Sequence, residues 1–441
     1  MGAAALVLVA LVALAFQIAQ LEAAAQERQY LIPFMWHGPN NQINEIKEAL
    51  ALAKILGRTI VLPDLQAHLW TDKNKEPMLF KELFDVAHVK ANADAVLMEE
   101  LPAALGRPDW AGDMDAALLL VPPDQRMGKA ALASQLLKPV PDAKWLPSPV
   151  SAWRGCSAEQ VAELKSLVAP YRVLGVQTFH GLVYGSQWLA GPFPLECEDE
   201  CCRAFKATAA FIRKSPAIYD MANTYIKERM GGKPYVAAHV RPYPDPCVKI
   251  WTQNDTTDRA DKINQYCNNE YLLYRFAPSI KHLMTEYNID TAFVMTHPKV
   301  REVVRAGLAA ADITPHFMDL PDLKMPAGDK ALSTGMTFSL LAMVEEAVCA
   351  QAKAFVGTKE SSMSATIILE RIGHGLDLND SYTFFRRLGY EEKPITLPDW
   401  YKATNISTAG SSKWRSKIQE RLRLHKEKMA AGKKRKKGPV A

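Results

Sequence analysis

A net positive charge is missing from most of this sequence. The formal net charge is +5 over 441 residues, but residues 413–437 hold twelve Lys or Arg and two Glu, a local +10, which leaves −5 for the rest. A mildly acidic body argues against nucleic-acid binding by the folded part. Also missing is an apolar run long enough to cross a bilayer comfortably. Residues 3–16 are apolar, a span needs roughly 20 residues, and Gln17 and Gln20 break the run. The N-terminus has no basic region beyond its α-amine. The short apolar run before Ala23-Ala24-Ala25 nevertheless predicts a secretory signal peptide over residues 1–25, with an uncleaved anchor or a buried helix as the alternatives. Metal-ligand companions are missing as well. Cys197, Cys201 and Cys202 have no histidine or further cysteine nearby in sequence, which favours disulfides over a metal site.

What is present fits a lumenal globular chain. Hydrophobic residues make up 48% of the sequence, enough for two or three domains with cores of their own. Three sequons, at Asn254, Asn379 and Asn405, agree with the lumen of the endoplasmic reticulum or Golgi. In that compartment the seven cysteines pair and leave one over. Cys349 lies in an apolar helical pattern and is the expected odd, buried thiol. Cys247 and Cys267 flank one polar loop, and a disulfide between them would fix it, worth on the order of 3 kcal/mol in the chain-entropy picture.

The periodicity alternates between strand and helix. Residues 30–35 read as a buried strand, 36–41 as a turn, 42–56 as a helix stopped at Gly57, and 59–63 as a second strand. This βαβ unit implies a parallel sheet, with Asn40 or Asn41 placed to cap the helix. Residues 64–149 are less regular. Asp113-Met114-Asp115 is a DxD triplet of the kind that holds a metal–diphosphate, but it sits among small residues with no clear strand before it and reads as a solvated turn. Residues 173–179 predict a strand, and 201–229 two helices broken at Ser215-Pro216, which places a domain boundary near residue 215. Beyond it the rhythm repeats, with strands at 235–241, 291–296, 316–318 and 354–357 and helices at 271–287, 298–310 and 337–352. Trp414, Ile418 and Leu422 fall at helical spacing, ahead of the basic tip 433–437. That tip would suit an anionic surface, or simply be solvated.

Two stretches carry chemistry. In Tyr235-Val236-Ala237-Ala238-His239-Val240-Arg241, an imidazole and a guanidinium stand two residues apart on one face of a strand ended by Pro242, Pro244 and Pro246. The carboxyl end of a buried strand is where open α/β sheets bind ligands, although His239 as a core histidine and Arg241 as an ion-pair partner are equally open from this stretch alone. Residues 354–371 read as strand, hydroxyl-rich turn and helix, so the Ser361 and Ser362 hydroxyls and helix-start amides face one point. A simple serine N-cap is the alternative.

These stretches together resemble the protein O-fucosyltransferases. Residues 30–63 resemble that family's first βαβ unit, whose turn carries an Asn-Gln pair. His239-Val240-Arg241 resembles its His-x-Arg strand. Ala354-Phe355-Val356-Gly357 with Ser361-Ser362-Met363-Ser364-Ala365 and Glu370-Arg371 resembles its C-terminal nucleotide-sugar motif. The resemblance implies an α/β fold of GT-B type, two Rossmann-like domains with parallel sheets facing a cleft. Residues 26–215 would form the acceptor-side domain, 216–400 the GDP-fucose-side domain, and 401–441 a C-terminal helix and basic tail.

The resemblance further implies an inverting transfer of fucose from GDP-fucose to a Ser or Thr hydroxyl of a protein acceptor, with no cofactor and no metal. Arg241 would clamp the diphosphate, and His239, Ser361, Ser362 and Met363 would contact the nucleotide sugar. Asn40 or Asn41 would position the diphosphate or the sugar. Met363 stands where the family has an aromatic residue. If Asn40 is the family's asparagine, His37 stands at the position of one branch's glutamate and would be the catalytic base; the alternative is no protein base, with the proton leaving through the phosphate or a water. A glycan-directed fucosyltransferase and a non-catalytic lumenal nucleotide-sugar-binding protein are the other readings.

Overall fold

A computed structural model describes residues 28–35, 38–67, 77–120, 135, 137–150, 156–178, 199–241, 269–309, 311–324, 337–358, 361–376 and 381–384. The expected signal peptide, His37, the Cys247–Cys267 loop, Cys197 and the basic tail lie outside these residues. The chain divides into two compact units, and among the described residues the change falls between Arg213 and Lys214.

In the first unit, apolar and β-branched residues make the buried strands β1 (Tyr30–Pro33) and β2 (Thr59–Leu62), joined by helix α1 (Pro39–Leu56). α1 stops at Gly57, which adopts φ +67° as a left-handed cap. Strands β3 (Ala95–Leu97), β4 (Ala116–Leu119), β5 (Trp145–Pro147) and β6 (Val173–Gln177) complete a sheet of order β3-β2-β1-β6-β4-β5. Every pairing is parallel. Helix α2 (Ala158–Val168) opens on a capping box, Ser157 with Gln160. Helix α3 (Glu200–Thr208) packs against α1. The buried Arg58 ties the layers, donating to Tyr30 O (3.3 Å) and Val168 O (2.6 Å).

The second unit starts with helix α4 (Pro216–Met230), capped by Ser215 and closed by Gly231 at φ 69°. Its strands are β7 (Val236–Val240), β8 (Ala292–Thr296), β9 (Pro315–His316), β10 (Ala354–Thr358) and β11 (Ser381–Phe384). Helices α5 (Asn269–Glu286), α6 (Arg301–Ala309), α7 (Phe338–Gln351) and α8 (Ser362–Gly373) connect them. The sheet order is β11-β10-β7-β8-β9, again all parallel. The chain builds outward from β7 to β8 and β9, then returns to the other side of β7 with β10. The strand order therefore reverses between β7 and β10, which is where such sheets bind ligands. The core of this unit joins Val236, Ala238, Val240, Val294, Phe276, Ile280, Val304 and Val356.

α7 is apolar almost all round and is accordingly buried. Arg371 from α8 caps its carboxyl end, donating to Ala350 O (3.1 Å), Ala352 O (2.5 Å) and Lys353 O (3.3 Å). Beside it, Lys214 is fully buried between Glu370, which it bonds, and Glu346 at 3.0 Å. Tyr219 also donates to Glu370 (2.7 Å), and Glu370 accepts the Lys214 backbone N–H at 2.9 Å. Burial alone would lower the Lys214 pKa, but Glu370 and Glu346 outweigh it and raise the pKa. Burial would likewise raise that of Glu370, and Lys214 reverses it.

Two expectations change. α1 begins at Pro39, so Asn40 and Asn41 lie inside its first turn, and the cap is Gly38 with no side-chain bond. Pro39 brings a preset φ and has no N–H to satisfy, which suits a first helical position. The irregular stretch 64–149 also contributes three strands, β3, β4 and β5, to the sheet.

The buried triad makes a stability prediction. Lys214→Met removes the cation and leaves two buried carboxylates together, so unfolding free energy should fall by ~3–5 kcal/mol. Urea denaturation of the variant checks this, and an unchanged midpoint at unchanged slope would contradict the triad.

Candidate functional site

The site in the second unit is built where β7 and β10 run side by side, with His239 in register with Gly357. Gly357 has no side chain for a steric reason. A Cβ there would lie 2.5 Å from Ser364 Oγ and 2.8 Å from Ser364 Cβ. The bare backbone lets α8 settle against β10 closely enough for Ser364 Oγ to reach His239 Nδ1 at 2.8 Å. His239 is 3% exposed. Burial first, and the Arg241 charge second, push its pKa down to about 3, so the ring is neutral at working pH.

Arg241 follows β7 directly, half-buried. Its backbone N–H donates to Thr358 Oγ1 at 3.0 Å, and the same hydroxyl donates to His239 O at 3.0 Å. Ser361 is the N-cap residue of α8, yet its side chain makes no cap bond. Its hydroxyl is completely buried and lacks a hydrogen-bond partner among the described residues. Ser362 is buried at the first turn of α8 and Met363 half-buried beside it. A guanidinium-bearing strand end, helix-start amides and an unspent hydroxyl make an arrangement suited to an anion. His239, Arg241, Ser361, Ser362 and Met363 are thus brought to the carboxyl end of two neighbouring strands, β7 and β10.

Asn40 and Asn41 belong to the first unit. They occupy the first turn of α1, which leaves the carboxyl end of β1, beside β6, at that sheet's own point of reversal. Gln42 anchors the turn, donating to Gln66 O (3.1 Å) and accepting from Gln66 N (2.8 Å). Asn40 is 7% exposed and its Oδ1 has no partner among the described residues. One helical turn on, both amide atoms of buried Asn44 are in the same condition. Buried polar atoms of native proteins are rarely left so.

The DxD triplet is occupied structurally. Asp113 pairs with Lys138 at 3.0 Å, and Asp115 Oδ2 accepts the Arg172 and Val173 backbone N–H groups, each at 2.8 Å, at the entry to β6. Met114 packs into the core of the first unit. Cys201 is bonded to Cys156, and Cys202 is also in a disulfide. Cys349 is a buried free thiol, as expected, and burial pushes its pKa well up. Of the motif pair Glu370-Arg371, both side chains are spent on the framework described above.

Sequence reasoning gave no role to Thr358 or to Ser364, although Ser364 stands in the motif that it quoted. Each lies one step from a residue it singled out, and the signal was their position beside the Gly-Thr and Ser-Ser-Met-Ser turns. The neutral His239 carries a pH prediction. Its folded pKa lies below the ordinary 6.5, so the unfolded chain binds the proton more readily. The stabilisation is full above pH 6.5 and is lost as pH falls from there toward about 3. Denaturation of wild type and His239→Asn across this window checks it: the variant should show a shallower loss on acidification, and parallel curves would count against a buried neutral ring.

Comparison with known proteins is consistent with this geometry. The profile of the family described as GDP-fucose protein O-fucosyltransferase matches residues 32–373. O-fucosyltransferase 20 of Arabidopsis thaliana is 36% identical over 63 residues, covering 14% of this chain and 10% of that relative. The match to that relative thus spans about a tenth of its length. The crystal structure of POFUT1 in complex with GDP-fucose aligns with 83% of this chain and 99% of its own, with a TM-score of 0.54 and 17% identity. The POFUT1 complex with GDP gives a TM-score of 0.51 over the same shares. At that identity the structures share the fold, two parallel-sheet Rossmann-like units of GT-B type. With the family profile running from residue 32 to residue 373, the chain belongs to the GDP-fucose protein O-fucosyltransferase family.

Proposed function

We propose that the protein transfers fucose from GDP-fucose to a Ser or Thr hydroxyl of a protein acceptor, with inversion and without a bound metal. The carrying observation is Arg241 at the end of β7, whose backbone N–H is bonded to Thr358 of β10, beside the amino-terminal turn of α8. In this reading the acceptor oxygen attacks the anomeric carbon as its bond to the β-phosphate oxygen breaks. GDP leaves with that electron pair. Negative charge grows on the β-phosphate, and the Arg241 guanidinium clamps those oxygens through two N–H groups. The Ser361 hydroxyl and the first amides of α8 share the charge. His239, neutral and hydrogen-bonded to Ser364, acts by contact with the nucleotide and not as a proton donor.

In the first unit, the orphaned Asn40 Oδ1 favours Asn40 over Asn41 as the residue that positions the diphosphate or sugar. With Asn40 in that role, His37 is the base that receives the acceptor's proton, since an unperturbed imidazole titrates near neutral pH. Metal independence is supported by the engagement of Asp113 with Lys138 and of Asp115 with two backbone amides. A lumenal site of action is supported by the Cys156–Cys201 disulfide.

Arg241→Lys keeps the charge and loses the fork. It should fold normally, bind GDP with a modest penalty and lose at least ~10²-fold in transfer, about 2.7 kcal/mol. Melting curves and single-turnover rates on that protein test the proposal. A destabilised variant whose folded fraction transfers fucose at the wild-type rate would refute the site. Transfer should also survive EDTA; a large loss restored by Mn²⁺ would refute the metal-free mechanism.

A further inference from the structure

The Val240–Arg241 peptide is held on both sides by threonine hydroxyls from the two strands that flank β7. Its carbonyl, Val240 O, accepts from Thr296 Oγ1 at 2.6 Å. Its N–H, on Arg241, donates to Thr358 Oγ1 at 3.0 Å. Thr296 is the last residue of β8 and Thr358 the last of β10. They are 4% and 3% exposed. Thr358 also donates its own proton to His239 O at 3.0 Å, so this hydroxyl accepts once, donates once, and has a settled orientation.

Backbone pairing with β10 reaches Gly357 opposite His239, and pairing with β8 reaches Thr296 opposite Val240. Arg241 stands just past both ladders, where a chain ordinarily gains freedom. The two hydroxyls extend the sheet by one peptide at that point. Strand propensity explains a β-branched residue at either position, but valine would serve that purpose equally. Only the hydroxyls explain the three hydrogen bonds converging on one strand end.

We propose that Thr358 and Thr296 are positioning residues, a pair that clamps the Val240–Arg241 peptide plane and thereby fixes the direction in which the Arg241 side chain leaves the sheet. This deepens the proposed function and rests on it for its catalytic consequence. The guanidinium can hold a diphosphate bidentately only within a narrow range of orientations. Swinging the peptide displaces the whole side chain from its root. A displacement of about 1 Å at a reacting centre costs up to ~10²-fold in rate.

The test compares Thr358→Val, Thr358→Ser and Thr296→Val in the full chain. Amide hydrogen exchange at Arg241, read by NMR, is the first measurement and requires no activity. Thr358→Val should expose the Arg241 amide to exchange while amides in the middle of β7 stay protected. Thr358→Ser should restore protection. The second measurement is transfer kinetics. Thr358→Val and Thr296→Val should each lower kcat by ~10–10²-fold with little change in the KM for GDP-fucose, and Thr358→Ser should recover most of it. A protein whose wild type shows no transfer would refute the proposed function and leave the clamp to be decided by exchange. If Thr358→Val does not fold, Thr296→Val and the serine variant carry both measurements. An Arg241 amide that exchanges freely in the wild type, or valine variants with full protection and wild-type kcat, overturns the clamp.

Discussion

The absent side chain of Gly357 governs how near α8 comes to the sheet of the second unit. Any Cβ there would collide with Ser364, and α8 would have to lift away from β10. With the glycine in place, Ser364 reaches His239 across 125 residues of sequence. The first turn of α8 then arrives at the same end of the sheet as the carboxyl end of β7. A close helix–strand approach of this kind is how α/β sheets deliver helix-start amides to an anion.

Behind that end of the sheet, the framework spends its buried charges on holding helices. Arg371 terminates α7, and Glu370, from the preceding position of α8, holds Lys214 and Tyr219 at the start of the second unit. A family motif that looks like ligand chemistry on paper therefore divides in two. Its serine half lies at the carboxyl end of β10, and its Glu-Arg half lies inside, where unpaired charge would be severely penalised. Such rigid support is what lets a guanidinium act through orientation as well as through charge.

Much of the second unit was legible because its strands are continuous apolar runs separated by helices of ordinary length. β7 and β8 fall inside the segments that periodicity marks, and β10 runs one residue past its segment, to Thr358. The first unit was less legible after β2. β3 and β5 have three residues each, too short for any period to show, and they are strands because β2 and β4 pair with them. The beginning of α1 was misplaced by three residues because Asn40 and Asn41 look like caps, whereas Pro39 starts the helix and Gly38 caps it. Asp113-Met114-Asp115 looked like a solvated turn; Asp115 is a backbone anchor for β6, a role visible only once β6 lies alongside.

The sequence by itself determined the alternation of strand and helix, the placing of His239 and Arg241 at the end of a buried strand, and the hydroxyl-rich turn that begins α8. These follow from residue type and local spacing, which constrain the backbone within a few residues. Only the tertiary structure decided that Thr358 lies beside Arg241, 117 residues away, and that Thr296 grips the carbonyl of the same peptide from the opposite side. The physical reason is register. A hydroxyl can bond a neighbouring strand's backbone only at one pairing offset, and a shift of a single residue would turn it to the other face of the sheet. That offset is set by the packing of whole strands and helices, and no local pattern in the chain records it.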